Sequence, residues 1–322
     1  MTSPDEPATR APRNWRRLIR VGALVVALVL CIVFLIPRAS DIVDALGRQN
    51  PLSIVIGLVL AIAATYATFL SWRELMRGAG HPLALMAAQR VFFLSQIGKY
   101  IPGSIWAIAA QADLGREHRV PVVKSVAVGL LTLLVSCGAG VCVAAASLPF
   151  VIPDALSKYW FVIVFVPIAL AALHPAVLGL VMRLASRVMK RDFGTIRLPL
   201  PSVAKAFGWA VIAWILFGAH IATLSAALIR LDGHTFVLAI GGYSLAWLVG
   251  FLVFFLPAGL GGREAVLTAL LVAGSAMSLN GAVSVAVMSR VLLTATDLLL
   301  ALAAGLSRRR KGVVVRAASE RS

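Results

Sequence analysis

Residues 122–147 read VVKSVAVGLLTLLVSCGAGVCVAAAS, an apolar run whose single charge is Lys124, near its start. A helix needs roughly 20 mostly apolar residues to cross a bilayer, so this run predicts a transmembrane helix. Similar runs recur on both sides of it. Hydrophobic residues make up 60% of the 322-residue chain and charged residues 13%, whereas soluble domains carry about 25% charged residues. We therefore expect an all-α integral membrane protein without a soluble domain of typical size.

The apolar runs predict about eight transmembrane helices, near 20–36, 52–72, 122–147, 159–181, 206–229, 236–256, 264–278 and 282–306. A further apolar segment, 83–112, is interrupted by glycines and a proline, which helix interiors avoid. We interpret it as a broken or re-entrant element. The membrane domain is then predicted at 18–306, between a disordered cytoplasmic tail at 1–17 and a basic cytoplasmic tail at 307–322.

The positive charges follow this layout. Twenty-three of the 30 lysines and arginines lie on one side of the predicted spans, in both tails and in the loops 73–90, 113–124 and 182–205, and four lie on the other side. The positive-inside rule then places both termini in the cytoplasm. The Ala-, Val- and Arg-rich composition indicates a bacterial inner or plasma membrane. Because topology and anionic lipid account for the net charge of +17, we expect no nucleic-acid partner.

Three cations remain, and each lies within or beside an apolar segment: Lys99, Arg263 and Arg290. A charge at bilayer depth costs at least about 2.5–3.5 kcal/mol on insertion scales, so it usually faces a protein interior or a water-filled cavity. Lys99 lies in the stretch 96–104, QIGKYIPGS, and Arg263 in the stretch 257–264, PAGLGGRE. We call these stretches the first break and the second break.

Both breaks combine glycine and proline with a cation, and a short apolar segment follows each. The start of such a half-helix presents unpaired N–H groups and a positive dipole end, which suits an anion such as a lipid phosphate. Paired interrupted segments in two halves of a membrane protein indicate a transport site and an internal repeat. The residues predicted to bind substrate are Gln96, Lys99, Pro102, Gly103, Ser104, Pro257, Gly259, Gly261, Gly262, Arg263, Glu264, Arg290 and Asp297.

Arg290 and Asp297 are seven residues apart in the last span, on one helix face but about two turns apart. We therefore expect partners on other elements: Glu264 for Arg290, and Lys99 for Asp297. The alternative to a functional site is a buried structural ion pair. His220, inside the fifth span, is a further candidate for a polar lining. The sequence shows no metal-ligand spacing, nucleophile elbow or Walker motif, so we expect no cofactor and no enzymatic activity.

At the two breaks the sequence resembles the family named after the lysylphosphatidylglycerol synthase transmembrane region. The resemblance covers roughly residues 15 to 308, and the Pro-Gly-Gly-Arg-Glu pattern of the second break is its more specific motif. It implies a polytopic flippase-like domain, often a homodimer. In bifunctional members this domain moves an aminoacylated phospholipid from the inner to the outer leaflet. The resemblance carries over Lys99, Pro102, Gly103, Pro257, Gly259, Gly261, Arg263 and Glu264.

The bifunctional members of the family also carry a C-terminal domain that synthesises the aminoacylated lipid. The sequence ends about 15 residues after the last predicted span, so we expect it not to synthesise the lipid. The leading hypothesis is a flippase for an anionic phospholipid or lipid-linked substrate. Its alternative is a non-transporting membrane partner or regulator of a cell-envelope glycosyltransferase or lipid-modifying synthase. An integral-membrane transferase is a third hypothesis, for which the sequence lacks paired acids or a metal site.

Overall fold

A computed structural model of the chain describes residues 49–101, 106–151, 198–252 and 261–319, together with positions 47, 171, 176, 177, 180 and 187. Side chains are described as far as Leu306. The described part is helical, as the sequence predicts, and contains no strand. Its α-helices are α1 (Pro51–Gly78), α2 (Leu85–Gln96), α3 (Trp106–Arg116), α4 (Val122–Ser147), α5 (Leu200–Ser225), α6 (Gly233–Leu252), α7 (Gly262–Gly274) and α8 (Leu279–Ser319).

Five of these helices, α1, α4, α5, α6 and α8, are long and apolar enough to cross a membrane. They confirm the spans predicted near 52–72, 122–147, 206–229, 236–256 and 282–306, with ends shifted by a few residues. The shift reaches six residues at the start of α5, which begins at Leu200, and at the end of α1, which continues to Gly78. Its last turns are polar outside and packed inside, so hydropathy alone ends the span too early. The predicted spans 20–36 and 159–181 and the tail at 1–17 lie outside the described residues, apart from isolated positions of the second span.

The predicted seventh span, 264–278, is the 13-residue helix α7. At 1.5 Å per residue it is about 20 Å long, shorter than a hydrocarbon core of about 30 Å. It is therefore a half-helix that follows the second break and not a complete crossing. The last predicted span, 282–306, is confirmed by the apolar part of α8, Leu279–Leu306, and the helix itself continues through the basic segment after residue 306 to Ser319.

The segment 83–112 is broken, as its glycines and proline predict. Helix α2 ends at Gln96, a 3-10 turn follows at Ile97–Tyr100, and α3 begins at Trp106. A Cβ added at Gly98 would lie 2.7 Å from the backbone nitrogen of Ala107. Only glycine permits so close an approach of two backbones, so the 3-10 turn packs directly against the start of α3.

The hydrophobic core extends over α1, α2, α4, α5, α6, α7 and α8, and it contains polar contacts where α1, α5 and α8 meet. His220 of α5 is fully buried there and bonds to both neighbours: its Nδ1 lies 2.8 Å from the carbonyl oxygen of Gly57 and its Nε2 lies 3.0 Å from Ser289 Oγ. A carbonyl oxygen only accepts, so Nδ1 carries the proton and Nε2 accepts from the serine. Ser71 of α1 also donates to the carbonyl oxygen of Ala206, at 2.8 Å. These bonds satisfy polar groups that would otherwise be stranded in an apolar interior.

Candidate functional site

The helices enclose a cavity of about 450 Å³ that lies against both breaks. This volume is within the range of ligand-binding pockets. The first break contributes Gln96, Lys99 and Tyr100 to the lining, and the second contributes Arg263. Residues of the two breaks and of the long helices together line the cavity. The two breaks, 164 residues apart when measured from Lys99 to Arg263, therefore serve one site.

The first charged centre joins the 3-10 turn of the first break to α8. Lys99 Nζ lies 2.7 Å from Asp297 Oδ2, and the hydroxyl of Tyr100 donates to the same oxygen at 2.6 Å. The carboxylate is 3% exposed, whereas the lysine side chain is 36% exposed. The pairing predicted between Lys99 and Asp297 is confirmed. Asp297 is therefore held inside the protein, whereas the side chain of Lys99 is partly exposed.

The second charged centre lies at the start of α7. Arg263 Nη2 lies 3.3 Å and Arg290 Nη1 lies 3.4 Å from the same oxygen, Glu264 Oε1. The pairing predicted between Arg290 and Glu264 is therefore confirmed. Both guanidinium groups are about nine-tenths buried, and Arg263 also lies over the ring of Tyr243, 5.7 Å from its centroid. Two buried cations thus share one carboxylate.

The charges of the two centres do not cancel. Lys99, Arg263 and Arg290 face two carboxylates, those of Asp297 and Glu264. All three cations and Asp297 line the cavity. Among the described residues the site therefore has one excess positive charge, and this favours a bound anion because Arg263, Arg290 and Asp297 are largely shielded from water.

Glu264 also determines how α7 begins. Gly261, with φ of +80°, precedes the helix, and its backbone N–H donates to Glu264 Oε2 at 2.8 Å. A carboxylate at this position already satisfies that donor and the helix dipole. The sequence predicts that the N–H groups at the start of this half-helix are unpaired and available to an anion. For the N–H of Gly261 this prediction is wrong, because Glu264 already accepts its hydrogen bond. Gly261 and Gly262 shape and start the helix, and the cationic side chains are what face the cavity.

The remaining predicted residues divide into two groups. Gln96 lines the cavity, and its role in substrate binding stays a prediction. Five predicted residues lie outside the described part of the chain: Pro102, Gly103, Ser104, Pro257 and Gly259. His220 does not line the cavity, because both of its ring nitrogens bond to neighbouring helices in the core. The prediction that it forms a polar lining is therefore wrong.

Sequence reasoning missed the tyrosines and the aromatic rings of the site. Tyr100 follows Lys99 directly in the first break, so its place beside a cation was a usable signal. The cavity lining also includes Trp214, Phe217, Tyr243, Trp247 and Phe251 from α5 and α6. Nothing in the linear pattern separates these rings from aromatic residues that face lipid, because both kinds lie in uniformly apolar spans.

The chain matches the family model described as Lysylphosphatidylglycerol synthase TM region over residues 19–301. The match includes both breaks and all five charged residues of the two centres. A search of curated proteins found no match. Since the matched region covers most of the 322 residues, the chain belongs to the lysylphosphatidylglycerol synthase transmembrane-region family.

Proposed function

We propose that this protein is a flippase-like translocase for an anionic phospholipid or lipid-linked substrate, and that it is not an enzyme. The observation that supports this most directly is the excess positive charge in a cavity formed by membrane helices. In the described part of the chain, three cations line that cavity against two carboxylates. Burying cations among apolar helices is costly, and such residues usually mark the path of a substrate or an ion.

The arrangement of the two charged centres along α8 supports movement as well as binding. Arg290 and Asp297 are seven residues apart on α8, which corresponds to about 10 Å along the helix axis. The second charged centre includes Arg290, and the first is built on Asp297. A headgroup that exchanges between the two centres therefore changes depth while its acyl chains remain in lipid. Lys99, the most exposed of the three cations, is suited to receive it first.

Location and partners follow from the same proposal. An anionic membrane lipid is the ligand, the composition supports a bacterial inner membrane, and the cation distribution supports cytoplasmic termini. A homodimer is an expectation of the family. The alternative is that the protein transports no lipid and instead associates with a cell-envelope glycosyltransferase or synthase. In that case a co-purified enzyme, and not the lipid, would account for the phenotype of a deletion.

Reconstitution in liposomes tests the translocase directly. We expect purified protein to make acyl-labelled phosphatidylglycerol in the inner leaflet accessible to a membrane-impermeant quencher, faster than in protein-free liposomes. The double substitution Lys99→Met with Asp297→Asn removes one cation and its carboxylate together, so no buried charge is left unpaired. We expect it to lower the rate by at least about tenfold, the effect of one lost charge-assisted contact.

A matched ion pair outside the cavity provides the control. Arg77 and Glu74 form a surface pair on α1 at 3.0 Å, and Arg77→Gln with Glu74→Gln should leave the rate unchanged. Background rates for every anionic lipid tried would refute the translocase and favour the partner role. Full activity in the cavity double variant would show that the first charged centre does not handle the lipid.

A further inference from the structure

Beyond the excess cation, the cavity has two walls of different chemistry. The first, here called the aromatic wall, consists of Trp214, Phe217, Tyr243, Trp247 and Phe251. Its rings support one another: Trp247 and Phe251 are stacked with an interplanar angle of 6°, and Phe217 and Tyr243 are stacked at 5.3 Å between centroids. Rings held in this way present fixed flat faces, which suit a flat apolar surface better than flexible acyl chains.

The second wall, here called the acceptor wall, consists of Thr65, Thr68, Ser95, Gln111 and Thr132. Each of its four hydroxyl groups donates its proton to a backbone carbonyl within its own helix, at 2.6 to 3.1 Å. A hydroxyl that has used its proton can offer only lone pairs to a ligand. The wall therefore offers hydrogen-bond acceptors to whatever fills the cavity.

Gln111 strengthens this conclusion. Its side chain is 95% buried, and its Oε1 has no hydrogen-bond partner among the described residues. A buried amide oxygen without a donor costs free energy, so such an atom usually indicates a missing ligand or water. The oxygen lies close to Gly129, another lining residue, where an added Cβ would come within 3.0 Å of it.

We propose that the headgroup carried by this protein is a phosphodiester that bears a hydroxylated ring. This inference rests on the proposed function and specifies its substrate class. The cations bind the phosphate, the acceptor wall receives the hydroxyl protons of the ring, and the aromatic wall packs against its less polar face. An ammonium headgroup would also donate, but it would bring a further positive charge to a site that already has one in excess.

Competition between lipids of equal charge tests this without requiring transport. Three lipids each carry one phosphodiester charge and differ in the headgroup. Phosphatidylethanol has no headgroup hydroxyl, phosphatidylglycerol has an acyclic diol, and phosphatidylinositol has a hydroxylated ring. Purified protein incubated with an equal mixture is analysed by native mass spectrometry for the lipid retained. We expect phosphatidylinositol to exceed phosphatidylethanol by about tenfold, the effect of one or two net hydrogen bonds, with phosphatidylglycerol between them.

Two variants assign this preference to the walls. Trp247→Leu keeps an apolar side chain but removes a ring of the aromatic wall, and Gln111→Leu removes the unpartnered acceptor. Each should lower the ratio of inositol lipid to ethanol lipid by about threefold to tenfold. Trp209→Leu is the matched control, since Trp209 lies on α5 outside the cavity lining, and it should leave the ratio unchanged.

The outcomes separate the inference from the proposed function. Equal retention of the three lipids would overturn the hydroxylated ring and leave an anionic-lipid translocase standing. Preferential retention of phosphatidylethanolamine, added in a second mixture, would overturn it in favour of an ammonium headgroup. A strong inositol preference without any translocation in liposomes would support the binding site and refute transport. The wild-type comparison decides even if a variant fails to fold.

Discussion

The two breaks share close packing at a glycine but contain different cations. At each break a glycine allows close packing: Gly98 lies against the backbone of Ala107, and Gly250 of α6 lies against Arg263, where an added Cβ would come within 2.9 Å of the arginine Cβ. The cations then differ. Lys99 is partly exposed and has one carboxylate partner, whereas Arg263 is buried and shares Glu264 with Arg290.

This difference indicates a division of labour. Lysine is a point charge on a flexible stem, and arginine is a rigid planar donor. If Lys99 turns toward a ligand, the hydroxyl of Tyr100 still donates to Asp297, so the buried carboxylate keeps a partner. Arg263 and Arg290 are about nine-tenths buried, and both contact the same oxygen of Glu264, so neither is as free to turn toward a ligand. We therefore expect the first break to exchange its cation with a substrate, and the second to fix the local structure and potential.

Removing the two carboxylates should give the largest contrast between the breaks. Glu264→Gln leaves two buried guanidinium groups facing a neutral amide, and we expect the free energy of unfolding to fall by about 3–5 kcal/mol. Asp297→Asn affects a lysine that can reach water, so we expect a fall of only about 1 kcal/mol. Both are measured by denaturing titration in detergent micelles, followed by the loss of helical circular dichroism. Equal losses would contradict the division between a fixed and an exchangeable centre.

Filling the glycine contacts should have the next largest effect. Gly98→Ala places a Cβ 2.7 Å from a backbone nitrogen, which cannot move without separating the 3-10 turn from α3, and we expect a loss of about 2–3 kcal/mol. Gly250→Ala meets the Cβ of Arg263 and should cost about 1–2 kcal/mol. Gly208→Ala on α5 is the control, because nothing lies within 4 Å of its added Cβ. It should be neutral or slightly stabilising. A Gly98→Ala variant as stable as this control would show that the close approach is unimportant.

The sequence predicts the general fold well, because hydropathy and charge act on whole segments. The five long spans, the broken segment and the two ion pairs of the site follow from the apolar runs and from three cations that topology leaves over. Chain geometry is harder to predict. Residues 264–278 are apolar in the same way as a complete span, and only the structure shows that α7 ends at Gly274.

Two features of the site could not be predicted for a physical reason. The acceptor character of Thr65, Thr68, Ser95 and Thr132 depends on where each hydroxyl proton goes, which is a matter of rotamer and not of composition. The capping of Gly261 by Glu264 depends on the turn that brings the carboxylate back over its own helix start. Local sequence supplied the residues in both cases, and three-dimensional geometry determined what they offer to a ligand.

The two tyrosines beside the cations give the smallest and most diagnostic contrast. Tyr100→Phe removes a 2.6 Å hydrogen bond to a buried carboxylate, and since Lys99 remains as a donor we expect a loss of about 1.5 kcal/mol. Tyr243→Phe removes only a long contact, 3.5 Å from Arg263 Nη1, and should cost less than about 0.5 kcal/mol.

The functional result should exceed the difference in stability. Without Tyr100 the carboxylate of Asp297 depends on Lys99 alone, so the lysine is held more tightly and is less able to turn toward a phosphate. Tyr100→Phe should therefore retain less anionic lipid in native mass spectrometry, by about threefold to tenfold, while Tyr243→Phe binds like the wild type. If Tyr100→Phe instead binds lipid normally, Lys99 does not exchange between Asp297 and the substrate. The first break would then be as fixed as the second.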